Sequence, residues 1–193
     1  MADPSYIVDG VLTDGEAWVA LDSETLTSPA SSITFTSTDD GQVGDWSQYM
    51  DLVIIAYAQT AASGATYSYS FIEFNTDTTA ANYDRQTFEG DGASATAAVY
   101  TTIRFPITSA TAGANVFGAA IAHLFDINSG KYKSVSVVGA GDGDGSGNVK
   151  MYGCIWKNQA AITEIDIWGW KGTYDLSTGS RFDLFGVLPR MVA

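Results

Sequence analysis

Residues 149–188 read VKMYGCIWKNQAAITEIDIWGWKGTYDLSTGSRFDLFGVL, and the reading of this stretch decides the fold. Three segments, 149–156, 163–168 and 180–187, have strand character and are separated by turn-forming Gly, Asn, Ser and Thr. Ile165 and Ile167 fall on one face by two-residue alternation, opposite Glu164, Asp166 and Trp168. In the last segment Phe182, Leu184 and Gly186 share a face, opposite Arg181, Asp183, Phe185 and Val187. The three-residue step from Ile162 to Ile165 breaks the alternation. The middle strand is therefore expected to start at Thr163, with 160–162 in the connection or in a bulge. The stretch closes a sheet and holds no catalytic grouping.

Outward from it, the same alternation recurs. Residues 131–138 (KYKSVSVV) read as a strand, and 139–148 (GAGDGDGSGN) as a flexible hairpin tip. Segment 116–127 is expected as a strand with Phe117, Ile121, Phe125 and Ile127 on one face; its alanines keep a helix open as the alternative. Segment 98–107 reads as one strand, 84–97 as a mobile Gly- and Ala-rich loop. Segments 50–58 and 67–75 are expected to pair as an antiparallel hairpin, with Tyr67, Tyr69 and Phe71 on one face. Near the start, 17–21 reads as a strand anchored by Trp18, and 31–37 as a half-exposed strand carrying Ile33 and Phe35. About ten strands joined mainly by short turns predict an all-β, antiparallel β-sandwich. Residues 1–16 are expected as an N-terminal arm or edge strand, and 17–193 as a single sandwich domain.

The charge excludes several functions. Twenty-two acids against nine bases give −13, and no basic groove is visible for phosphate recognition, so no nucleic-acid partner is expected. An anionic membrane would repel the chain, and no apolar run has the length of a membrane span. The acids are seventeen Asp and five Glu, which places much of the charge in loops. The lone Cys154 excludes an intrachain disulfide, and with only His123 beside it no Cys/His zinc set exists. Cys154 is expected as a buried, inert thiol, and His123 as a satisfied core or interface histidine.

Asp39, Asp40 and Asp45 in DDGQVGDW match no calcium loop and read as a solvated turn, while Asp142 and Asp144 resemble one copy of a calcium-binding Gly-Asp repeat, too short to build a β-roll, and read as part of the hairpin tip. The glycines at 139–148 are followed by no Lys-Ser/Thr, so they are not a phosphate loop. No nucleophile elbow or cofactor fingerprint is present. Glu73 and Glu164 cannot be singled out as a glycosidase pair among so many carboxylates. No enzyme activity, cofactor or metal is expected.

Two motifs carry a family resemblance. WKNQAAITEIDI followed by GSRFDLFGV, through Trp156, Ala161, Ile162, Thr163, Ile165 and then Gly179, Ser180, Phe182, Leu184 and Gly186, resembles the C-terminal signature of a family of β-rich tailed-bacteriophage virion proteins. Phe185 stands where that family has Tyr. Upstream, Ile72, Phe74, Asn75, Asp77, Asn82 and Tyr83 match the family's strand-and-corner segment. The resemblance covers about residues 30–188. It implies a jelly-roll-like virion surface or fibre protein, with the Asx residues of the corner motif Asn75, Asp77, Asn82 and Tyr83 capping the strand end.

The expected function is therefore a bacteriophage virion structural protein, with a capsid decoration or cement protein leading because no shaft or coiled coil is present. It would form a homo-oligomer, expected as a trimer, and would contact other virion proteins such as the major capsid protein. The alternative is a tail-fibre or tail-tip module that recognises a host glycan. Trp168, Trp170 and Tyr174, in IWGWKGTY, are the candidate interface or glycan platform, and the N-terminal arm and loop 84–97 are candidate contacts. MADPSYIVDG lacks the features of a secretory signal, so synthesis in the bacterial host cytoplasm before incorporation into the virion is expected.

Overall fold

The computed structural model describes residues 7–8, 11–12, 17–142, 146–170 and 173–188. The chain is all-β. Its fourteen described strands are β1 (Ile7–Val8), β2 (Val11–Leu12), β3 (Trp18–Thr25), β4 (Ser32–Thr36), β5 (Asp51–Thr60), β6 (Tyr67–Phe74), β7 (Tyr83–Gly90), β8 (Ala95–Tyr100), β9 (Ile103–Ser109), β10 (Gly118–Phe125), β11 (Lys133–Asp142), β12 (Gly147–Trp156), β13 (Glu164–Trp168) and β14 (Arg181–Val187). Helix among the described residues is confined to single 3-10 turns at Trp46–Gln48, Ala80–Asn82 and Ala110–Ala112. None is long and apolar enough to cross a membrane.

Twelve strands make two sheets. The large one runs β3-β14-β5-β10-β11-β12-β7-β8, antiparallel throughout, and the small one β4-β13-β6-β9. They join where Gln59 and Thr60 at the end of β5 pair parallel with Thr108 and Ser109 of β9. This one parallel contact makes the sheet mixed rather than wholly antiparallel as expected.

The core lies between the sheets because alternation puts the apolar residues of both on facing surfaces. Ile33 and Phe35, Ile72 and Phe74, Ile103 and Phe105, and Ile165 and Ile167 come from the small sheet. Leu52, Ile54, Val135, Val137, Phe182 and Leu184 come from the large one. Rings meet across the gap, with Phe74 and Trp156 centroids 5.5 Å apart and Phe105 and Phe182 centroids 6.4 Å apart. Each fully buried side chain of this size contributes about 1.5–3 kcal/mol. The three strands expected at 149–156, 163–168 and 180–187 are present, and Ile162 is buried in the connection before β13.

Several local expectations are corrected. Residues 50–58 and 67–75 do not form a hairpin: β5 is bonded on both edges by β14 and β10, so the chain crosses and β6 pairs with β9 and β13. Loop 84–97 is a hairpin of β7 and β8 whose turn is only 91–94. The Asp91 carboxylate accepts from the Ala93 and Ser94 N–H groups there, and Gly92 takes φ +87°. Segment 98–107 is two strands broken at Thr101–Thr102, where the Arg85 guanidinium donates to the Thr102 carbonyl at 3.0 Å. Trp18 is an edge residue, 44% exposed beside Phe185; its neighbour Val19 is the one buried. Gly139–Asp142 and Gly147–Asn148 belong to strands β11 and β12 rather than to a loose tip, and Asp144 lies outside the described residues. Of the expected arm 1–16, only the β1–β2 pairing is described.

Segment 116–127 holds the strand expected, but Ile127, grouped with Ile121 and Phe125 on one face, is buried while those two are exposed. Ala120, Ala122 and Leu124 point into the core, while Ile121 and Phe125 point out. The cause is close approach to β9. A Cβ on Gly118 would meet Ile107 Cα and Thr108 N at 2.8 Å, so only small side chains fit at this end of the inward side, and Leu124 fits at the other. His123 follows Ile121 outward, with its Nε2 2.8 Å from the buried Asp51 carboxylate and its ring stacked on Phe125.

Candidate functional site

The small sheet turns an aromatic face outward. Alternation along β6 sends Ser68, Ser70, Ile72 and Phe74 inward and leaves Tyr67, Tyr69 and Phe71 on the other side. Register aligns Trp168 of β13 and Arg104 of β9 on either side of Phe71 in one row across three strands. Trp170, two residues past Trp168, lies 5.8 Å from Tyr69 and 6.2 Å from Phe71, centroid to centroid. Tyr174 is tied to Trp170 by backbone, its N–H donating to the Trp170 carbonyl at 3.0 Å. The structure thus brings Trp168 and Trp170 onto one surface and adds Tyr69, Phe71 and Arg104 to them. Lys171 and Gly172 between Trp170 and Tyr174 lie outside the described residues.

The end of the large sheet curls against this face and brings cations to it. The Arg104 guanidinium lies 4.4 Å from the Phe71 ring centroid, 5.0 Å from Tyr69 and 5.8 Å from Trp170. Arg85 of β7 lies over Tyr100 at 4.4 Å and Tyr152 at 4.9 Å. Lys150 of β12 lies 4.6 Å and 4.5 Å from the Tyr67 and Tyr69 centroids, and pairs with Glu89 at 2.8 Å. The two guanidiniums meet at Thr102, whose hydroxyl oxygen lies 3.1 Å from Arg104 Nε and 3.3 Å from Arg85 Nη1. Ring faces attract these cations through the quadrupole.

The electrostatics follow from that crowding. Burial lowers the pKa of Arg104, and the neighbouring Arg85 charge lowers it further. Burial likewise lowers that of Arg85. Burial, with Glu89 next in weight, pushes the Tyr69 phenol up to about 12. Among the described residues the only ion pair in this cluster is Lys150–Glu89, so donors outnumber acceptors. Arg85 Nε and Trp168 Nε1 are buried without a hydrogen-bond partner.

The corner motif is structural. Asn75, at φ +51°, accepts the Thr163 and Glu164 N–H groups on its Oδ1 and donates to the Ala161 carbonyl. The Asp77 carboxylate accepts from Trp156 Nε1 and Asn82 Nδ2, each at 2.8 Å, and from the Thr79 N–H at 3.0 Å. Burial raises its pKa, but these bonds win and hold it below the usual carboxylate range. Tyr83 donates its hydroxyl proton to the Asp77 carbonyl and accepts the Phe74 N–H. The motif therefore fastens the ends of β6, β12 and β13 together.

Among the described residues the other candidates are engaged in local structure or buried. Among the described residues no three His, Cys, Asp or Glu side chains gather to hold a metal. Asp45, in a cleft of about 410 Å³ with Asp39 and Glu164, is occupied in capping the Ser47 and Gly41 N–H groups. Cys154 is buried, and burial pushes its thiol up to about 12, far from a thiolate nucleophile. Alternation already set Arg104 on the face opposite Phe105, but the pairing of β6 with β9 that places it beside Phe71 is a tertiary fact. No significant match is found among protein-family models, curated proteins or solved structures.

Proposed function

We propose that the chain is a non-enzymatic bacteriophage virion structural protein, a capsid decoration protein that assembles with itself and with the shell. Its kernel is read as a jelly roll. The strand order supports this: β3-β14-β5-β10 faces β4-β13-β6-β9, so the chain alternates between sheets in the way two wound Greek keys require.

The observation that carries the assembly reading is the outer face of the large sheet. Ile121, Val138, Met151 and Phe88 stand directly opposite one another across β10, β11, β12 and β7, exposed by 38%, 41%, 54% and 57%. Val149 and Val99 extend the patch on either side. Between β10 and β8 this face carries no Asp, Glu, Lys or Arg within 119–123, 136–140, 149–153, 86–90 and 95–99, where alternation turns Lys150 and Glu89 inward. On a chain of net charge −13, an uncharged apolar field is where a second copy can approach without repulsion. A trimer formed through this face would bind an assembled shell better than loose subunits and stabilise it by mass action.

Light scattering of the purified protein tests this: a trimer is expected, and a monodisperse monomer at micromolar concentration would overturn it. Copy number in purified virions separates shell from tail, since a decoration protein scales with the major capsid protein. A second reading, a tail-fibre or tail-tip module binding a host glycan, is favoured by the aromatic face with Trp168 and Trp170. Aromatic side chains offer large amphipathic surfaces for such stacking.

A further inference from the structure

We infer that the surface where the small sheet's aromatic face meets the end of the large sheet is a binding site for an acidic saccharide, with Arg104 receiving its carboxylate and Trp170 and Tyr100 offering ring surface to its sugars. The inference deepens the glycan-binding reading by naming the ligand's charge.

Three observations point the same way. Arg85, Arg104 and Lys150 are three of only nine bases in the chain, and they converge in a cluster whose one described ion-pair carboxylate is Glu89. Two guanidiniums that share the Thr102 hydroxyl repel each other, and both are partly stripped of water. An incoming anion offsets that cost. Arg104 spends only its Nε on a described residue, Thr102; its two Nη groups carry no hydrogen bond to any described residue. A planar fork with both terminal nitrogens available matches a carboxylate in bidentate geometry. The rings around it keep the fork in place and leave apolar surface beside it, with Tyr100 46% exposed at the rim.

A saccharide fits better than a nucleic acid. The row next to Phe71 and Trp168 on the same face holds Glu73 and Asp166, which are register partners. Negative charge there opposes a phosphate backbone, and Asp166 is itself buried, accepting from the Thr34 hydroxyl at 2.6 Å. The overall charge of −13 also opposes a polyanion tracking along the surface, whereas a single carboxylate needs only the local cluster.

The test titrates the intact protein with an otherwise neutral oligosaccharide that carries one galacturonic-acid residue and with its methyl ester, following Trp fluorescence and calorimetry. The two probes share every ring and differ in charge. The acid form is expected to bind at least tenfold tighter, with affinity falling as salt rises, and Arg104→Gln to reduce its affinity to that of the ester. Equal affinity for the two forms would overturn the inference while leaving a neutral-glycan reading intact. No saturable change with either form at millimolar concentration would overturn both. Tighter binding of an oligothymidylate, lost in Arg104→Gln, would overturn the inference in favour of single-stranded nucleic acid. The acid–ester comparison is made on the unaltered chain, so it holds even if the Arg104 variant folds poorly.

Discussion

Asp77 gathers three donors from two parts of the chain far apart in sequence, and its removal is the sharpest single-residue test of the corner. Asp77→Ala leaves the buried Trp156 Nε1, the Asn82 amide and the Thr79 N–H without their acceptor. An unsatisfied buried donor costs about 1–3 kcal/mol, so a loss of about 3 kcal/mol is expected in urea unfolding. The pH dependence has a definite sign. The folded pKa of Asp77 lies below its ordinary value, so its contribution is complete above about pH 4 and lost as pH falls through the lower folded value. Unfolding midpoints should therefore fall on acidification below about pH 4, and less steeply in Asp77→Asn. Cys154, buried and shifted to about 12, should resist iodoacetamide at neutral pH and react once urea unfolds the chain. The family resemblance picked out the corner residues of NTDTTAANY, and the local turn from Asp77 to Thr79 was legible there, whereas the reach of Asn75 to residues 161–164 is long-range. That the indole of Trp156 completes the set was not legible, because it arrives from β12.

At the scale of elements, strand existence was readable and strand pairing was not. Alternation named β4, β6, β13 and β14 and sorted the two faces of β13 and β14. It left the inward face of β10 open, because the spacing of Phe117, Ile121 and Phe125 is the same whether the large side chains point in or out. The proximity of β9 decides, and glycine marks it. Gly118→Ala should cost about 1–3 kcal/mol, since its Cβ would meet the β9 backbone at 2.8 Å. Gly153→Ala, on the outward face of β12 with nothing within 4 Å, should be neutral or slightly stabilising. Thermal denaturation of the two variants side by side checks the contrast. The β5–β6 hairpin failed for a related reason: two adjacent strands with compatible patterns pair only if their edges are free, and both edges of β5 are taken.

At the scale of the whole molecule, the two outward faces have different chemistry and should separate by mutation. Val138→Glu with Met151→Glu places carboxylates in the middle of the uncharged field on the large sheet. Both sites face solvent in the protomer, so folding should survive while the oligomer dissociates, read by light scattering and far-UV circular dichroism. The same pair should leave the acid-saccharide titration unchanged, because Val138 and Met151 point out on the face of the large sheet opposite Lys150. A variant that stayed fully assembled would place the subunit contact elsewhere.

By itself the sequence determined the all-β class, the positions of most strands and the buried thiol. These follow from forces acting over a few residues: alternation, turn chemistry and local hydrogen bonding. Only the tertiary structure decided which strands pair, which face of β10 is inside, and that Arg85, Arg104 and Lys150 meet among rings from β6, β8 and β12. Those outcomes depend on strand edges and on clearances between surfaces far apart along the chain, and residue spacing carries no record of either.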